Sequence, residues 1–178
     1  DGLGTALPPL SISQPEAESR AAAISGFSPE DQRKLRLLYR ASGVRQRGSV
    51  LLEPGDSGGV TQSFYQPRQS AEDRGPTTAQ RMQRYDASAG ELAEQASRRA
   101  LDAADCSPAA IRHLVTVSCT GFSAPGFDLA LIERLGLDPS VSRTHVGFMG
   151  CHGALNGLRV ANALASAEPG VPVLLAAV

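Results

Sequence analysis

From His113 to Val178 the chain changes its apolar period every few residues, and this restricts it to one class of fold. His113 to Ser118 reads as a strand, Phe127 to Leu135 as a helix closed by Gly136, and Thr144 to Phe148 as a second strand. Cys151 to about Ala167 reads as a helix, and Val171 onward as a further, buried strand. Strands alternating with helices imply a largely parallel α/β sheet with helices on its faces. Ligands in such sheets bind beyond the carboxyl ends of the strands. Two loops qualify, Cys119 to Gly126 and Gly150 to Gly153, following two strands that can lie side by side.

The second loop carries a candidate nucleophile. Thr144, Val146 and Phe148 alternate as a strand, Gly147, Gly150 and Gly153 crowd the turn, and Leu155, Leu158, Ala161 and Ala165 recur at helical spacing, with Leu164 on a flank. A thiol at the first turn of a helix meets unpaired N–H groups and the positive end of the helix dipole, which favour the reactive thiolate. The competing reading is that Cys151 is a small buried hydrophobe. Flanking glycines weigh against it, because they are costly at a mere packing position and clear room for a large acyl group beside the sulfur.

The composition excludes several function classes. The 178 residues suffice for one domain with a sizeable core. Seventeen basic against 18 acidic residues give a net charge of −1, which argues against nucleic acid as a main partner. Cys106, Cys119 and Cys151 lack CxxC spacing or a histidine cluster, so neither a disulfide scaffold nor a metal site is expected. No apolar run is long enough to cross a bilayer and no signal-peptide pattern opens the chain, so no membrane association and a cytoplasmic location are expected.

Further upstream, Pro15 to Ser25 reads as a short helix with Ser13 as its candidate cap. Ser28 caps a second helix, with Pro29 first inside and Asp31 three residues on. That helix runs to about Ala41 and is expected to turn Leu35, Leu38 and Tyr39 inward. Glu53 to Gly75 is rich in Gly, Pro, Ser and Gln, and a loop of that length is usually functional or mobile. Thr77 to Ala104 reads as a helix with a buried stripe at Leu92, Ala96, Ala100 and Leu101. Asp1 to Ala6 reads as the tail of a strand entering a loop. With the apolar run at Val171 to Val178, this suggests a chain cut at both ends.

SCTGFSAPGFD (Ser118 to Asp128) and GFMGCHGALNGLR (Gly147 to Arg159) together resemble the type III polyketide synthases, the chalcone and stilbene synthase family. The similarity extends through Gly2 to Ala6, Ser28 to Asp31 and Arg45 to Arg47, and so covers nearly the whole chain in order. Family members are about twice this length, and residues 1–178 look like their amino-terminal domain. The resemblance implies α/β architecture, the amino-terminal half of a thiolase-like layered αβαβα fold, usually assembled as a homodimer.

It also implies a chemistry. Cys151 would carry an acyl group taken from acyl-CoA, and malonyl-CoA would decarboxylate to an enolate equivalent that attacks the thioester. Coenzyme A thioesters are then substrates, with no tightly bound cofactor. The family's catalytic His and Asn fall in the half beyond Val178, so these residues alone are expected to be inactive. His152 should point away from the Cys151 side chain as a supporting or packing residue, and His113 and His145 read as structural.

Cys119 and Thr120 match family positions lining the acyl cavity, against the alternative that Cys119 merely packs after its strand. Ala124 matches a position where plant enzymes carry a methionine reaching across the dimer, and a smaller residue leaves room for a different or longer starter. Lys34 matches one of the family's residues that hold coenzyme A phosphates, while Leu37 and Ala41 fall at the other two. Arg33, Arg36 or Arg40 could supply the charge; a solvated basic face is the alternative. Two rival readings stand beside the polyketide synthase. One is another thiolase-fold condensing enzyme, of the initiating ketoacyl-ACP synthase or HMG-CoA synthase type. The other is a non-catalytic half that needs a partner chain.

Overall fold

The computed structural model describes residues 1–56, 58–70 and 72–178; Ser57 and Ala71, both within the Glu53 to Gly75 stretch, lie outside the described residues. The chain divides into two compact units, Leu7–Gln80 and Asp1–Ala6 with Arg81–Val178.

In the first unit, β1 (Ser11–Ser13) runs into α1 (Gln14–Ser25), followed by α2 (Pro29–Ala41) and β2 (Gln46–Gly48). Strands β1 and β2 pair antiparallel, Ile12 opposite Arg47. A second small ribbon joins β3 (Glu53–Pro54) to β4 (Val60–Thr61). The expected caps are present. Ser13 Oγ accepts from Glu16 N at 3.3 Å, and Ser28 Oγ accepts from Asp31 N at 3.1 Å, each satisfying an amide that a helix start leaves free. The buried Gln14 side chain donates to Tyr39 O (3.0 Å) and to Ser42 Oγ (2.9 Å), and accepts from Arg47 Nε (2.7 Å). Of the three α2 residues expected to point inward, Leu35 and Tyr39 are half-buried but Leu38 is exposed. The inward face of α2 is completed instead by Gln32, one turn before Leu35 and two before Tyr39.

The second unit holds the sheet. Helix α3 (Thr78–Ala103) precedes β5 (His113–Ser118), α4 (Phe127–Leu135), β6 (Ser142–Gly147), α5 (Gly153–Ala167) and β7 (Val173–Ala177). The strands are parallel in the order β6-β5-β7. This is the α/β arrangement that the alternating periods require. All six residues of β5 are buried, because β5 is central and covered on both faces. Leu114 faces a core shared with Ala89, Ala93 and Leu101 of α3 and with Phe127, Leu131 and Leu135 of α4. Val117, on the opposite face, meets α5.

Three details differ from the sequence reading. Asp1 to Ala6 forms no strand; it lies along α3, where a side chain at Gly2 or Gly4 would collide with the carbonyls of Ala100 and Ala96. Leu92, Ala96 and Ala100 are only half-buried, and the buried stripe of α3 is Ala89, Ala93, Ser97 and Leu101, the face from which Ala89, Ala93 and Leu101 meet the core of β5 and α4. On α5 the buried positions are Gly153 and Gly157, whereas Leu155 and Leu158 are each 54% exposed. A cavity of about 810 Å³ opens beside β7, lined in part by Ala96, Ala100, Leu158 and Ala161. No residue of the Cys119 to Gly126 or Gly147 to Gly153 loops lines it.

Candidate active site

The two glycine-rich loops leave the carboxyl ends of adjacent strands. Ser118 ends β5 opposite Gly147, which ends β6. Each strand therefore delivers its loop to the same edge of the sheet, the position where open α/β sheets bind ligands. Aromatic contact ties the loops together: the rings of Phe122 and Phe148 lie 5.8 Å apart, centroid to centroid, at 41°.

Cys151 is exposed, not buried, and sits in a single 3-10 turn (Gly150–His152) that leads directly into α5. It thus occupies the amino-terminal end of the helix, although the regular α-helix begins two residues later than the sequence suggests. All three cysteines carry free thiols.

The three glycines around Cys151 differ in their local surroundings. Gly150 has φ +57°, a conformation that a side chain disfavours. A Cβ on Gly153 would stand 2.9 Å from Val117 Cγ1, so glycine lets α5 settle close to the sheet. One on Gly147 would be 3.3 Å from His145 Nε2. Space for an acyl group is therefore not needed to account for Gly150 or Gly153.

Phe148 is the departure with most bearing on the site. Read as the last residue of the strand, it falls outside β6 and takes φ +59°. A bulky residue in the left-handed region is an outlier that costs of order 1–3 kcal/mol and persists where its surroundings over-determine it. The Phe148 side chain is 79% exposed, so burial of its ring does not offset that cost.

The Cys119 to Gly126 loop is anchored from beneath. The Tyr85 ring packs against Gly121 so closely that a Cβ there would stand 2.2 Å from the ring. Burial pushes the Tyr85 phenol above its ordinary pKa. Phe122 N donates to Met82 Sδ at 3.4 Å. Cys119, Thr120 and Ala124 are all exposed on this loop, which ends at a cis Ala124–Pro125 bond and Gly126. Asp128, in the first turn of α4, accepts from Arg143 Nη1 of β6 at 2.7 Å. Ser118 Oγ is buried, with the Tyr85 phenol beside it.

The histidines occupy three distinct places. His113 starts β5, at the end opposite the loops, and its Nε2 lies 3.1 Å from Glu168 Oε1. His145 Nδ1 is bonded to Thr116 Oγ1 at 2.9 Å, its ring edge-on to Phe127. His152 is exposed beside Cys151.

Cys151, Cys119, Thr120 and Ala124 thus belong to one pair of neighbouring loops. Lys34 belongs to the other compact unit, on α2, where it pairs with Glu30 at 2.8 Å and Asp31 at 3.5 Å. These carboxylates, Glu30 first, raise the Lys34 ammonium above its ordinary pKa. Arg36 pairs with Glu18 at 3.5 Å. Sequence reasoning passed over Tyr85, Phe122 and Phe148; the available signal was three aromatics, two of them inside the glycine-rich loops, in a chain with only 4% aromatic residues.

Comparison with known proteins agrees with this architecture. The family described as chalcone and stilbene synthases, N-terminal domain, matches residues 2–178. The alpha-pyrone synthesis polyketide synthase-like Pks18 of Mycobacterium tuberculosis is 34% identical over 176 residues, covering 98% of this chain and 42% of its own. The crystal structure of PKS-I from the brown alga Ectocarpus siliculosus superposes with a TM-score of 0.78 at 32% identity, over 99% of this chain and 46% of that one. CsyB, solved in complex with CoA-SH, superposes with a TM-score of 0.74 at 28% identity, over 99% of this chain and 44% of its own. The chain spans about half the length of the relatives it matches.

Proposed function

The chain belongs to the chalcone and stilbene synthase family, with the thiolase-like α/β fold of the type III polyketide synthases, and from that premise we propose that Cys151 is its acyl-carrying nucleophile. The observation that carries the proposal is the exposed Cys151 thiol, held at the start of α5 beyond the carboxyl ends of two adjacent parallel strands.

The thiolate attacks the carbonyl carbon of an acyl-CoA, the carbon–sulfur bond to coenzyme A breaks, and the departing CoA thiolate takes up a proton. Malonyl-CoA then loses CO₂ to leave the enolate of acetyl-CoA. The enolate carbon attacks the Cys151 thioester, releasing the Cys151 thiolate and a ketoacyl-CoA two carbons longer. Coenzyme A thioesters are the proposed substrates, and no resident cofactor enters the sequence. A relative solved with CoA-SH supports that substrate class.

Cys119, Thr120 and Ala124 are proposed to border the acyl group, since their loop is joined to that of Cys151 through Phe122 and Phe148. Lys34 remains the proposed contact for coenzyme A phosphate, and to serve it must exchange its partners Glu30 and Asp31 for the phosphate. None of the three histidines is assigned the role of partner to the thiolate. His113 stands at the far end of β5, His145 is committed to Thr116, and His152 follows Cys151 directly in the same turn. We place that partner in the half that the relatives carry in addition. A homodimer belongs to the same proposal and is read by sedimentation. Among the described residues no helix is long and apolar enough to cross a membrane.

The test is mass spectrometry of the intact protein after incubation with an acyl-CoA. A mass increase of one acyl group on the peptide carrying Cys151, lost in Cys151→Ser, is the expected result. Absence of that adduct rejects the proposal. Product from malonyl-CoA with no acyl carrier protein present separates it from a ketoacyl-ACP synthase.

A further inference from the structure

We propose that Tyr85 is a positioning residue that fixes the backbone on both sides of Cys119 and Thr120, a role that rests on these two bordering an acyl group carried by Cys151. Tyr85 stands on α3 four residues before Ala89 and eight before Ala93, so it continues the buried stripe of that helix by one turn toward its start. Ala89, Ala93 and Leu101 bind the stripe to the core of β5 and α4, and Tyr85 itself packs against that core. Helix α3 is thereby anchored along its length, and its early turns reach the carboxyl end of β5.

There Tyr85 meets the chain twice. Its phenol lies beside the buried Oγ of Ser118, the last residue of β5. Its ring lies against the buried Gly121, where a Cβ would stand 2.2 Å from Cδ1, 2.3 Å from Cγ and 2.4 Å from Cε1. Only a glycine admits a ring that close to its backbone. Cys119 and Thr120, the two residues between these contacts, are exposed. One turn earlier on α3, Met82 Sδ accepts from Phe122 N at 3.4 Å and carries the same support past Gly121. Burial pushes the phenol above its ordinary pKa, so at neutral pH it stays protonated and able to donate to Ser118 Oγ. Tyr85 thus acts through the loop backbone and takes no part in bond making. A displaced loop weakens the hold on the acyl group in the bound state and in the transition state alike, so the loss falls on acyl-CoA binding and spares the transfer rate.

The experiment follows acylation of Cys151 by hexanoyl-CoA, using mass spectrometry of the intact protein across a range of hexanoyl-CoA concentrations. Each variant yields a half-saturating concentration and a limiting rate. Tyr85→Leu should raise the half-saturating concentration about ten-fold or more, within the reach of a misplacement of about 1 Å, and leave the limiting rate near the parent's. Tyr85→Phe keeps the ring against Gly121 and should stay close to the parent. Gly121→Ala tests the contact from the loop side with α3 untouched. The backbone at Gly121 lies outside the left-handed region, so alanine there is opposed by the ring and not by its own φ. It should act as Tyr85→Leu does, and the two together should give less than the product of their separate effects, because both break one contact. An unchanged half-saturating concentration in Tyr85→Leu and Gly121→Ala overturns the proposal. So does a fall in limiting rate alone, which a partly unfolded protein gives, or a fully multiplicative double variant, which makes the two positions independent. Failure of the underlying function is a different result: no acyl group on Cys151 of the unsubstituted protein.

Discussion

Helices α4 and α5 lie on opposite faces of β5 and pack there by opposite means. Helix α4 turns its large side chains inward: Phe127, Leu131 and Leu135 are all buried in the core with Leu114. Helix α5 turns its smallest residues inward, Gly153 and Gly157, and leaves Leu155 and Leu158 outside. Leucines hold α4 at the ordinary distance of a helix on a sheet, whereas glycines let α5 settle onto Val117 and Leu175. The two modes suit two tasks. The α4 side supplies apolar burial, and the α5 side brings the start of a helix, with Cys151 on it, down to the strand ends.

The largest effect should come from the α4 side. Leu131 is fully buried, so Leu131→Ala removes apolar contacts and leaves a void that a close-packed core fills poorly. The expected loss is about 2–5 kcal/mol of stability, read from urea unfolding. A loss under 1 kcal/mol would show that the core around α4 is loosely packed and that the contrast with α5 is false.

Leu131 was also the more legible of the two packing modes. An apolar period of a helix states which face is buried when the burying residues are themselves apolar, and on α4 they are. Strand β5, helix α4 and the caps at Ser13 and Ser28 were readable for the same reason: each depends on residues within a few positions of one another. On α5 the leucine period marked a helix, but the contact with the sheet is made by glycines, which carry no hydropathy signal. The stripe of α3 lies one position from the expected one because the face that meets β5 and α4 is that of Ala89, Ala93 and Leu101, and those partners lie outside the helix's own period. At the site, the topology that places Cys119 and Cys151 on neighbouring loops was legible from alternating strands and helices. The left-handed backbone at Phe148 was not, since Phe148 continues the alternation of Thr144 and Val146 and nothing in a hydropathy pattern marks a change of φ.

A second prediction addresses the glycine mode. A Cβ at Gly157 would lie 2.5 Å from Val117 Cγ2 and 2.8 Å from Leu175 Cδ1. Gly157→Val adds two branches beyond that Cβ, against a stiff β-branched neighbour. Overpacking of this kind costs about 1–3 kcal/mol, again by urea unfolding. Unchanged stability would mean that α5 can lift from the sheet without penalty.

Smaller, and dependent on pH, is the ionic tie on the α4 side. Glu94 of α3 accepts from Arg134 of α4 at 3.0 Å and pairs with Arg98 at 2.9 Å. These guanidinium groups, Arg134 first, hold the Glu94 carboxyl below its ordinary value of 4.5. A carboxyl whose pKa is lowered by folding adds stability that is fully present above its unfolded value and is lost as pH falls through the folded one. Glu94→Gln should therefore lower stability at pH 7 by about 0.2–1 kcal/mol. The difference from the parent should vanish as pH drops below the window under 4.5. A difference that persists at acid pH would assign the effect to packing instead of charge.

The smallest expected effect is the one that most sharpens the comparison. Leu155 and Leu158 are as apolar as Leu131, so composition alone predicts equal costs on truncation. Their exposure predicts otherwise. In residues 1–178 as they stand, the side chains at 155 and 158 already meet water over half their surface. Leu155→Ser should therefore change stability by no more than about 0.5 kcal/mol, the range of surface substitutions. Leu158→Ser tests the same face beside the cavity that it lines with Ala161, and should match. A loss above 1 kcal/mol at either position would mean that the leucine face is covered in solution, and that α5 is packed on both sides where α4 is packed on one. Agreement with the small value leaves the glycines as the residues that hold α5, and Cys151 with it, against the sheet.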